Sequence, residues 1–434
     1  MSMRLLQRQK LILLLVLAVS VVFPLMFVQF DEPSTRLNAY KLLAKTGALC
    51  GGMLMFWQVL LGFRGAVSRF VPDLIWVLGL HRKIGTYLPL LIVLHPVFIT
   101  LYYLDKYDWN LFSLNISLSF DVFVLIGIVS LALLVVIIIS SLFRPSFRSY
   151  STWYFLHLGS YILLLLMFIH SIPIGSTIGL TRLGQFWWLL AGILALVTLF
   201  RIATRLGLFV KRHLVSDVRQ VGPGVTRITM QPVGGKMEPI TGQFIFLRWG
   251  FWGNARPFTV SHYDRLTGKL SVTVKALGKT TTLLQGIQKG ETVYLEGPFG
   301  VFTHAALEHD RPVVMIAGGI GITPFTRLFD ELAYEPGREL HLFYGNKYTH
   351  EIVYKDEIEG MKHVNVIHVL SHEDDYAGEK GFITVDLLKK YLPRDLKEYE
   401  FLICGPPVMT EKIKTELTGD HVPAGQIHYE LFSY

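Results

Sequence analysis

Two stretches decide how this chain is read: HRKIGTYLPLLIVLH, residues 81–95, and HLGSYILLLLMFIH, residues 157–170. Each has a histidine at both ends and a largely apolar interior. His81, His95, His157 and His170 are also the only histidines in the first 212 residues. On an ideal helix fourteen residues rise about 21 Å and turn back to within ~40° of the starting face, so His81 and His95 share a face at two depths. His157 and His170 are separated by about 20 Å of rise, which matches, although thirteen steps leave them about 140° apart.

The surroundings say which solvent these helices meet. The chain has 434 residues, of which 51% are hydrophobic, and a mean hydropathy of +0.43. That is too apolar and too long for one soluble domain. Roughly 20 apolar residues span a bilayer core as a helix, and six segments qualify, near 11–30, 39–62, 74–102, 119–143, 151–172 and 186–206. The first lacks a small-residue cleavage site and reads as a retained helix. Basic residues follow a topological pattern: Arg4, Arg8 and Lys10 precede the first segment, Arg64 and Arg69 follow the second, Arg144 and Arg148 the fourth, and Arg201, Arg205, Lys211 and Arg212 the sixth. These stretches are expected on the cytoplasmic side, with both termini. The net charge of +8 is then a property of a basic membrane protein, and no nucleic-acid partner is needed. Cys50 and Cys404 are the only cysteines, too few for a disulfide framework or a cysteine-based metal centre.

Imidazole in hydrocarbon is costly and marks a cofactor or a pathway. Neutral histidine is a good iron ligand, and a six-coordinate haem takes one from each side. Both helices run the same way, so the level pairs are His81 with His157 near the cytoplasm and His95 with His170 near the exterior, giving two stacked b-type haems. Pro96, directly after His95, should loosen the helix there because it cannot donate one turn back. The pattern resembles the transmembrane domain of the NADPH oxidase and ferric reductase superfamily, in which the third and fifth helices carry paired histidines at these spacings.

Beyond Arg212 the text turns to strand-like pieces, VTRITMQPV, GQFIFLRW and LSVTVKAL, separated by Gly and Pro turns, and predicts a small antiparallel barrel over about 213–305. Within it, NARPFTVS offers Arg256 for a pyrophosphate, Phe258 for a planar ring and Thr259 for a ring nitrogen. VKALGKTTTLL adds Lys275, a turn at Gly278 and the hydroxyls of Thr280, Thr281 and Thr282, a glycine turn into a helix start suited to diphosphate. Together these resemble the flavin domain of the ferredoxin-NADP reductase superfamily. The resemblance implies FAD, with Arg256 on its phosphates, Pro257 between, Phe258 against the isoalloxazine, Thr259 near N5, and Gly278 to Thr281 closing on the pyrophosphate. One departure is that the oxidases commonly carry His where Arg256 stands. GPFG, Gly297 to Gly300, is expected to close the barrel.

From Arg311, RPVVMIAGGIGITPFTRLFDEL reads as a buried strand feeding glycines into a helix, which is a phosphate site by geometry. With the later strands HLFYGN and FLICGPPVM it resembles the pyridine-nucleotide domain of the same reductases. The implied contacts are Gly318, Gly319, Gly321 and Thr323 around the diphosphate, with Cys404, Gly405 and Pro406 beside the nicotinamide. Cys404 would shape the hydride path rather than attack. Lys347, after YGN, would pair with a 2′-phosphate and favour NADPH over NADH. An aromatic near the C-terminus covers the flavin in this family, which points to Phe432 first and Tyr434 second.

The expected architecture is a six-helix transmembrane haem-binding bundle over 1–212, a β-barrel FAD domain over 213–308 and an α/β NAD(P)H-binding domain over 309–434. The expected activity is electron transfer from cytoplasmic NAD(P)H through FAD and two haems to an acceptor outside. That acceptor is O2, giving superoxide, or a ferric or cupric chelate that Asp105 and Asp108 would attract, or an extracytoplasmic redox protein. A protein partner is not required by the first two readings. Without an EF-hand in the sequence, constitutive activity is the simplest expectation.

Overall fold

The computed structural model describes residues 3–143, 150–250, 253–335 and 337–430. Arg144 and Arg148, counted above toward topology, lie outside the described residues, as do Phe432 and Tyr434. The chain divides into two compact units, one of Arg8–Arg205 and one of Leu206–Tyr434 with Met1–Gln7.

Among the described residues six helices are long and apolar enough to cross a membrane: α1 (Met3–Phe27), α2 (Thr35–Leu61), α3 (Leu74–Tyr107), α4 (Ser119–Leu142), α5 (Thr152–Ile174) and α6 (Leu183–Arg205). They overlap the six expected segments. The starts of α1 and α2 and the end of α3 reach further, because a helix that leaves hydrocarbon keeps its backbone bonds while its side chains turn polar. Apolar side chains outside the small core are exposed, among them Leu101, Val129, Leu165 and Leu199, as expected of helices solvated by lipid. The buried core of this unit gathers Leu49, Met53, Phe56, Leu164, Phe168 and Trp187.

Two irregularities occur in α2 and α3. In α3 the helix breaks at Val93 into Leu74–Ile92 and Leu94–Tyr107. Pro96 has no N–H for the carbonyl of Ile92, so the expected loosening occurs one turn before the proline. In α2 the residues Thr46–Cys50 form a π-turn, a widened turn that frequently marks functional positions. Between the paired histidines α5 is unbroken, whereas α3 carries Pro89 inside the helix and the offset at Val93, so α3 is where the angular mismatch seen in the sequence can be reconciled.

The second unit contains a closed six-stranded barrel and an open parallel sheet. The barrel strands are β1 (Lys211–Gly222), β2 (Val225–Pro232), β3 (Phe244–Trp249), β4 (Arg256–Tyr263), β5 (Leu270–Lys275) and β6 (Thr292–Phe299), in the order β1-β2-β5-β4-β3-β6. A short helix α7 (Lys279–Leu284) follows β5. Alternation along the strands sends Val215, Ile228, Ile245, Leu247, Val260, Val272 and Leu295 into one apolar interior. GPFG ends β6, where a side chain at Gly300 (φ +100°) would meet the Phe244 ring.

The sheet comprises β7 (Val313–Gly318), β8 (Leu340–Asn346), β9 (Asn365–Leu370), β10 (Glu379–Lys380), β11 (Glu400–Cys404) and β12 (Ile427–Glu430), in the order β10-β9-β8-β7-β11-β12. All its pairings are parallel. Covered on both faces, β7 and β11 are buried along their whole length, which is why VVMIA and FLIC are continuous apolar runs rather than alternating ones. Strands β8 to β10 lie to one side of β7, and β11 and β12 to the other. This reversal makes β7/β11 the switch point, where open α/β sheets bind ligands beyond the strands' carboxyl ends.

Candidate functional site

In the helical unit the four histidines meet in two pairs. The His81 and His157 rings are 6.0 Å apart between centres with planes at 68°, and the His95 and His170 rings are 6.2 Å apart at 67°. The pairs are those expected from depth.

Each imidazole is held by Nδ1. His81 Nδ1 lies 3.1 Å from the Gln58 carbonyl oxygen, and the Gln58 amide donates back to the His81 carbonyl at 2.9 Å. His95 Nδ1 is 3.3 Å from the Ala44 oxygen, His170 Nδ1 is 2.7 Å from the Phe123 oxygen, and His157 Nδ1 is 3.3 Å from Ser141 Oγ. A carbonyl can only accept, so for three of the four the proton sits on Nδ1 and the lone pair on Nε2. That is the tautomer and orientation that second-shell carbonyls give to metal-bound histidine. Trp153 also stacks on His157, 5.1 Å between centres.

The holding groups follow one rule. Helix α2 backs the histidines of α3, and α4 backs those of α5. Glycines allow the close approach: a Cβ at Gly47 would lie 2.5 Å from the His95 backbone nitrogen, and one at Gly127 would lie 2.6 Å from the His170 ring. Gly127 stands one turn beyond Phe123, so both the cradle and the carbonyl for His170 come from the same side of α4. Gly127→Ala is therefore expected to displace the His170 ring and lose much of the absorbance of one haem per flavin, while the His81/His157 level is unchanged; visible spectra of purified protein check this.

These pairs fit haem. Metal–imidazole bonds are about 2.0–2.1 Å long, so two rings some 6 Å apart between centres accommodate one metal ion between them. Two nitrogens underligate a bare cation, and no group of three or more His, Cys, Asp or Glu suited to a metal occurs among the described residues. A macrocycle that supplies four more nitrogens completes the set.

In the second unit Arg256 opens β4, half-buried, with Pro257 opposite Phe246 and Thr259 opposite Phe244. Thr259 is 3% exposed, and its hydroxyl has no hydrogen-bond partner among the described residues. Buried hydroxyls are nearly always satisfied, so this one fits a ring nitrogen from a bound flavin. Three details differ from the sequence reading. Phe258 is 9% exposed and packs with Ile245, Leu247 and Val260 inside the barrel, which leaves only its outer edge for an isoalloxazine. Lys275, assigned to phosphate, is ion-paired with Glu351 at 3.1 Å. The Thr281 hydroxyl accepts from the Gly278 and Leu277 amides at 2.9 and 3.0 Å, so it caps its own turn, and Thr280 and Gly278 are left as the outward elements of that loop.

At the switch point the two glycine segments interlock. A Cβ on Gly321 would lie 2.1 Å from the Cys404 carbonyl oxygen, one on Gly318 would lie 2.7 Å from Pro406, and one on Gly405 would lie 3.1 Å from Gly318. These glycines are required by strand-end packing. Gly319 differs: its φ is +54°, and nothing lies within 4 Å of its Cβ position, so it presents open backbone to a ligand. Thr323 is 4% exposed and donates to the Ile320 carbonyl at 3.1 Å. Lys347 follows β8 and is exposed, beside the strand that carries the glycine loop.

Two residues that the sequence reading passed over also belong here. Tyr344, fully buried on β8, donates to the Gly319 carbonyl at 3.1 Å and accepts from the Val353 amide at 3.3 Å, fixing the glycine loop from beneath. Tyr344→Phe is expected to raise KM for the nicotinamide nucleotide several-fold with little change in kcat, because it loosens the loop and leaves an amide unpaired at a cost of about 1–3 kcal/mol. Steady-state kinetics check the split. Glu430, 2% exposed, pairs in register with Cys404. Burial first, and the nearby Glu430 carboxylate second, push the Cys404 thiol well above its ordinary range. It therefore stays protonated and acts by shape, not as a nucleophile. The signal for Glu430 was an acid inside a strand in IHYELFSY, masked by the aromatics around it.

Comparison with known proteins agrees with this division. Residues 47–168 match the family model of the ferric reductase like transmembrane component, residues 225–304 the oxidoreductase FAD-binding domain and residues 315–415 the oxidoreductase NAD-binding domain. The chain is similar to the toluate 1,2-dioxygenase electron transfer component of Pseudomonas putida, 25% identical over 228 residues, covering 50% of this chain and 66% of that protein. It is 30% identical over 162 residues to NADH-cytochrome b5 reductase 2 of Kluyveromyces lactis, covering 35% and 54%. The chain thus spans about half to two thirds of the length of these relatives. Among solved structures, the ferredoxin reductase in carbazole 1,9a-dioxygenase aligns over 52% of this chain and 69% of its own, at 23% identity and a TM-score of 0.47. With helices, barrel and sheet in this order, the chain is a ferric-reductase-like transmembrane component fused to oxidoreductase FAD-binding and NAD-binding domains, and so matches a fusion of the NADPH oxidase and ferric reductase type.

Proposed function

We propose that this chain carries electrons from cytoplasmic NAD(P)H, through FAD and two b-type haems, across the membrane to O2, which leaves as superoxide. The observation that supports the reading best is the pair of histidine levels with every Nδ1 held by an oxygen of a neighbouring helix. Such an arrangement presents Nε2 pairs to metal without further rearrangement. FAD, when bound, takes a hydride and releases electrons one at a time to haem.

The residues supply placement. Gly319 offers the open backbone that seats the nucleotide diphosphate, in a loop that Gly318 and Gly321 let pack against the end of β11 and Thr323 ties together, and Cys404, Gly405, Pro406 and Glu430 shape the nicotinamide edge of the switch point. Arg256 and Thr259 orient the flavin, with Phe432 and Tyr434 beyond the last described strand as its covering aromatics and Lys347 as a 2′-phosphate partner that favours NADPH. His81 with His157 forms the inner level and His95 with His170 the outer one, in domains over 1–212, 213–308 and 309–434, with both termini in the cytoplasm.

Reduction of a ferric chelate is the second reading. Its attraction by loop acids is weakened here because Asp105 is ion-paired with Arg36 at 2.5 Å. Near it, Glu32 takes hydrogen bonds from Lys106 at 2.9 Å and from Tyr102 at 2.5 Å, and these donors hold its carboxyl below the usual range. With Asp105 and Glu32 already neutralised, Asp108 is the loop acid left to attract a cation, a weak hold that favours a small neutral acceptor. The test supplies NADPH and FAD to purified protein and compares superoxide-dismutase-sensitive dye reduction in air with anaerobic reduction of a ferric chelate. Fast chelate reduction with no superoxide would transfer the assignment to the second reading.

A further inference from the structure

A groove of about 700 Å³ lies between the outside of the barrel and α8 (Thr326–Leu332), the helix that follows the glycine loop. Its lining includes Thr229 and Ser271 on the barrel strands, whose hydroxyls are 2.9 Å apart, Tyr263 and Lys269 at the β4–β5 hairpin, and Arg327 and Asp330 of α8. A second cavity of about 220 Å³ adjoins it, since His262 and Asp330 line both. The inner cavity is otherwise mainly apolar, with Phe329, Tyr354, Ile358 and Met361 in its wall. No residue lining either cavity belongs to the glycine loop, to the switch point or to residues 256–259 of β4. The groove therefore stands apart from the flavin and nicotinamide sites.

Charge in the groove is unevenly used. Asp264 accepts from the Leu266 amide at 2.9 Å and from the Thr267 hydroxyl, which closes its own hairpin turn, and Glu331 is paired with Arg265 at 3.6 Å. The cations Arg327 and Lys269 are not used in that way. Arg327 donates to the Pro239 and Ile240 carbonyls at 3.0 and 3.3 Å and Lys269 is exposed, and neither makes an ion pair among the described residues. His262 sits among guanidinium groups, with Nε2 3.5 Å from Arg227 Nη1. Burial first, and then the charges of Arg227 and Arg327, push this imidazole down to about 4. It is therefore a neutral hydrogen-bonding group in a field that attracts anions.

We propose that this groove binds a nucleoside phosphate, with the base in the inner cavity, the ribose where the two cavities meet and the phosphates in the outer one. An apolar, partly aromatic cavity suits a planar ring. A carboxylate such as Asp330 accepts from ribose hydroxyls, as acidic residues do in dinucleotide folds, and His262 adds a second polar group beside it. Arg327 and Lys269 meet the phosphates. The groove also joins the two elements that hydride transfer needs in register. Thr326, the first residue of α8, donates to the Ser261 carbonyl of β4 at 2.7 Å, so the helix leaving the glycine loop and the strand carrying Arg256 and Thr259 both border it. An occupant bears on both at once, which makes the site regulatory in kind.

The test is a calorimetric titration of ADP into the full chain in lipid nanodiscs, loaded with FAD and saturated with NADP+ so that both dinucleotide sites are filled. One ADP per chain is expected, with inorganic phosphate and adenosine each at least about tenfold weaker, since each keeps only part of the contacts. K269Q, at an exposed position, is expected to weaken ADP by up to about fivefold, while K269R stays close to the wild type. R327Q is expected to weaken it by about tenfold, the loss of hydrogen bonds to a charged group. Flavin content and NADPH-driven flavin reduction at wild-type values in K269Q show that the fold is intact. ADP binding that appears only without NADP+ belongs to the glycine loop and overturns the inference. Adenosine or phosphate binding as tightly as ADP overturns it too, as does ADP binding that K269Q and R327Q both leave unmoved.

Discussion

Replacing His95 or His170 by alanine should remove one haem, halve the reduced-minus-oxidised absorbance per flavin, and bring transmembrane electron flow to background. Among the described residues each level has two imidazoles, their rings 6.0 and 6.2 Å apart between centres. Loss of one therefore cannot be covered by a neighbour. The substitution also strips the Ala44 or Phe123 carbonyl of its imidazole partner, so the site does not simply refill with an apolar side chain. Reduction of flavin by NADPH is expected to survive, because no residue of the glycine loop or of β4 changes. Retention of two haems in both single variants would refute the level pairing, and loss of both would show that the levels are not independent.

The second large effect is expected at Gly321. A methyl group there would lie 2.1 Å from the Cys404 carbonyl oxygen, 2.6 Å from its carbon and 3.0 Å from the Gly405 Cα. All three are backbone atoms at the end of β11, so none can swing aside as a side chain would. Gly321→Ala is expected to cost about 3 kcal/mol, at the upper end of overpacking penalties. It should also abolish NADPH-driven flavin bleaching under anaerobic conditions, while dithionite still reduces the haems. Gly319→Ala is the control, since nothing lies within 4 Å of its Cβ position and the penalty comes only from φ +54°, about 1 kcal/mol. Equal effects of the two substitutions would show that strand-end interlocking is not what requires glycine at 321.

Much of the site was readable because spacing alone carries it. The distances between His81 and His95 and between His157 and His170 predicted which imidazoles would be level, and the apolar runs predicted helices. The parallel sheet was readable from VVMIA and FLIC, since strands covered on both faces lose their alternation. Contacts that depend on which way one side chain turns were not readable. The resemblance assigned Phe258 to the isoalloxazine, yet strand alternation places it among Ile245, Leu247 and Val260. Lys275 looked like a phosphate ligand until Glu351, far along the chain, took its charge. Thr281 looked free until its own turn used the hydroxyl.

The sequence by itself determined the order of the three parts, the six helices, the four histidines and the two glycine segments. All of these follow from local periodicity and residue chemistry within a few turns of chain. Only the tertiary structure decided what holds each element in place. Imidazole Nδ1 is fixed by carbonyls and a hydroxyl on neighbouring helices, Gly127 yields its side-chain space to His170, Tyr344 supports Gly319, and Glu430 is brought beside Cys404. Which side chain meets which is a fact about distance through space, which periodicity along one chain segment does not encode.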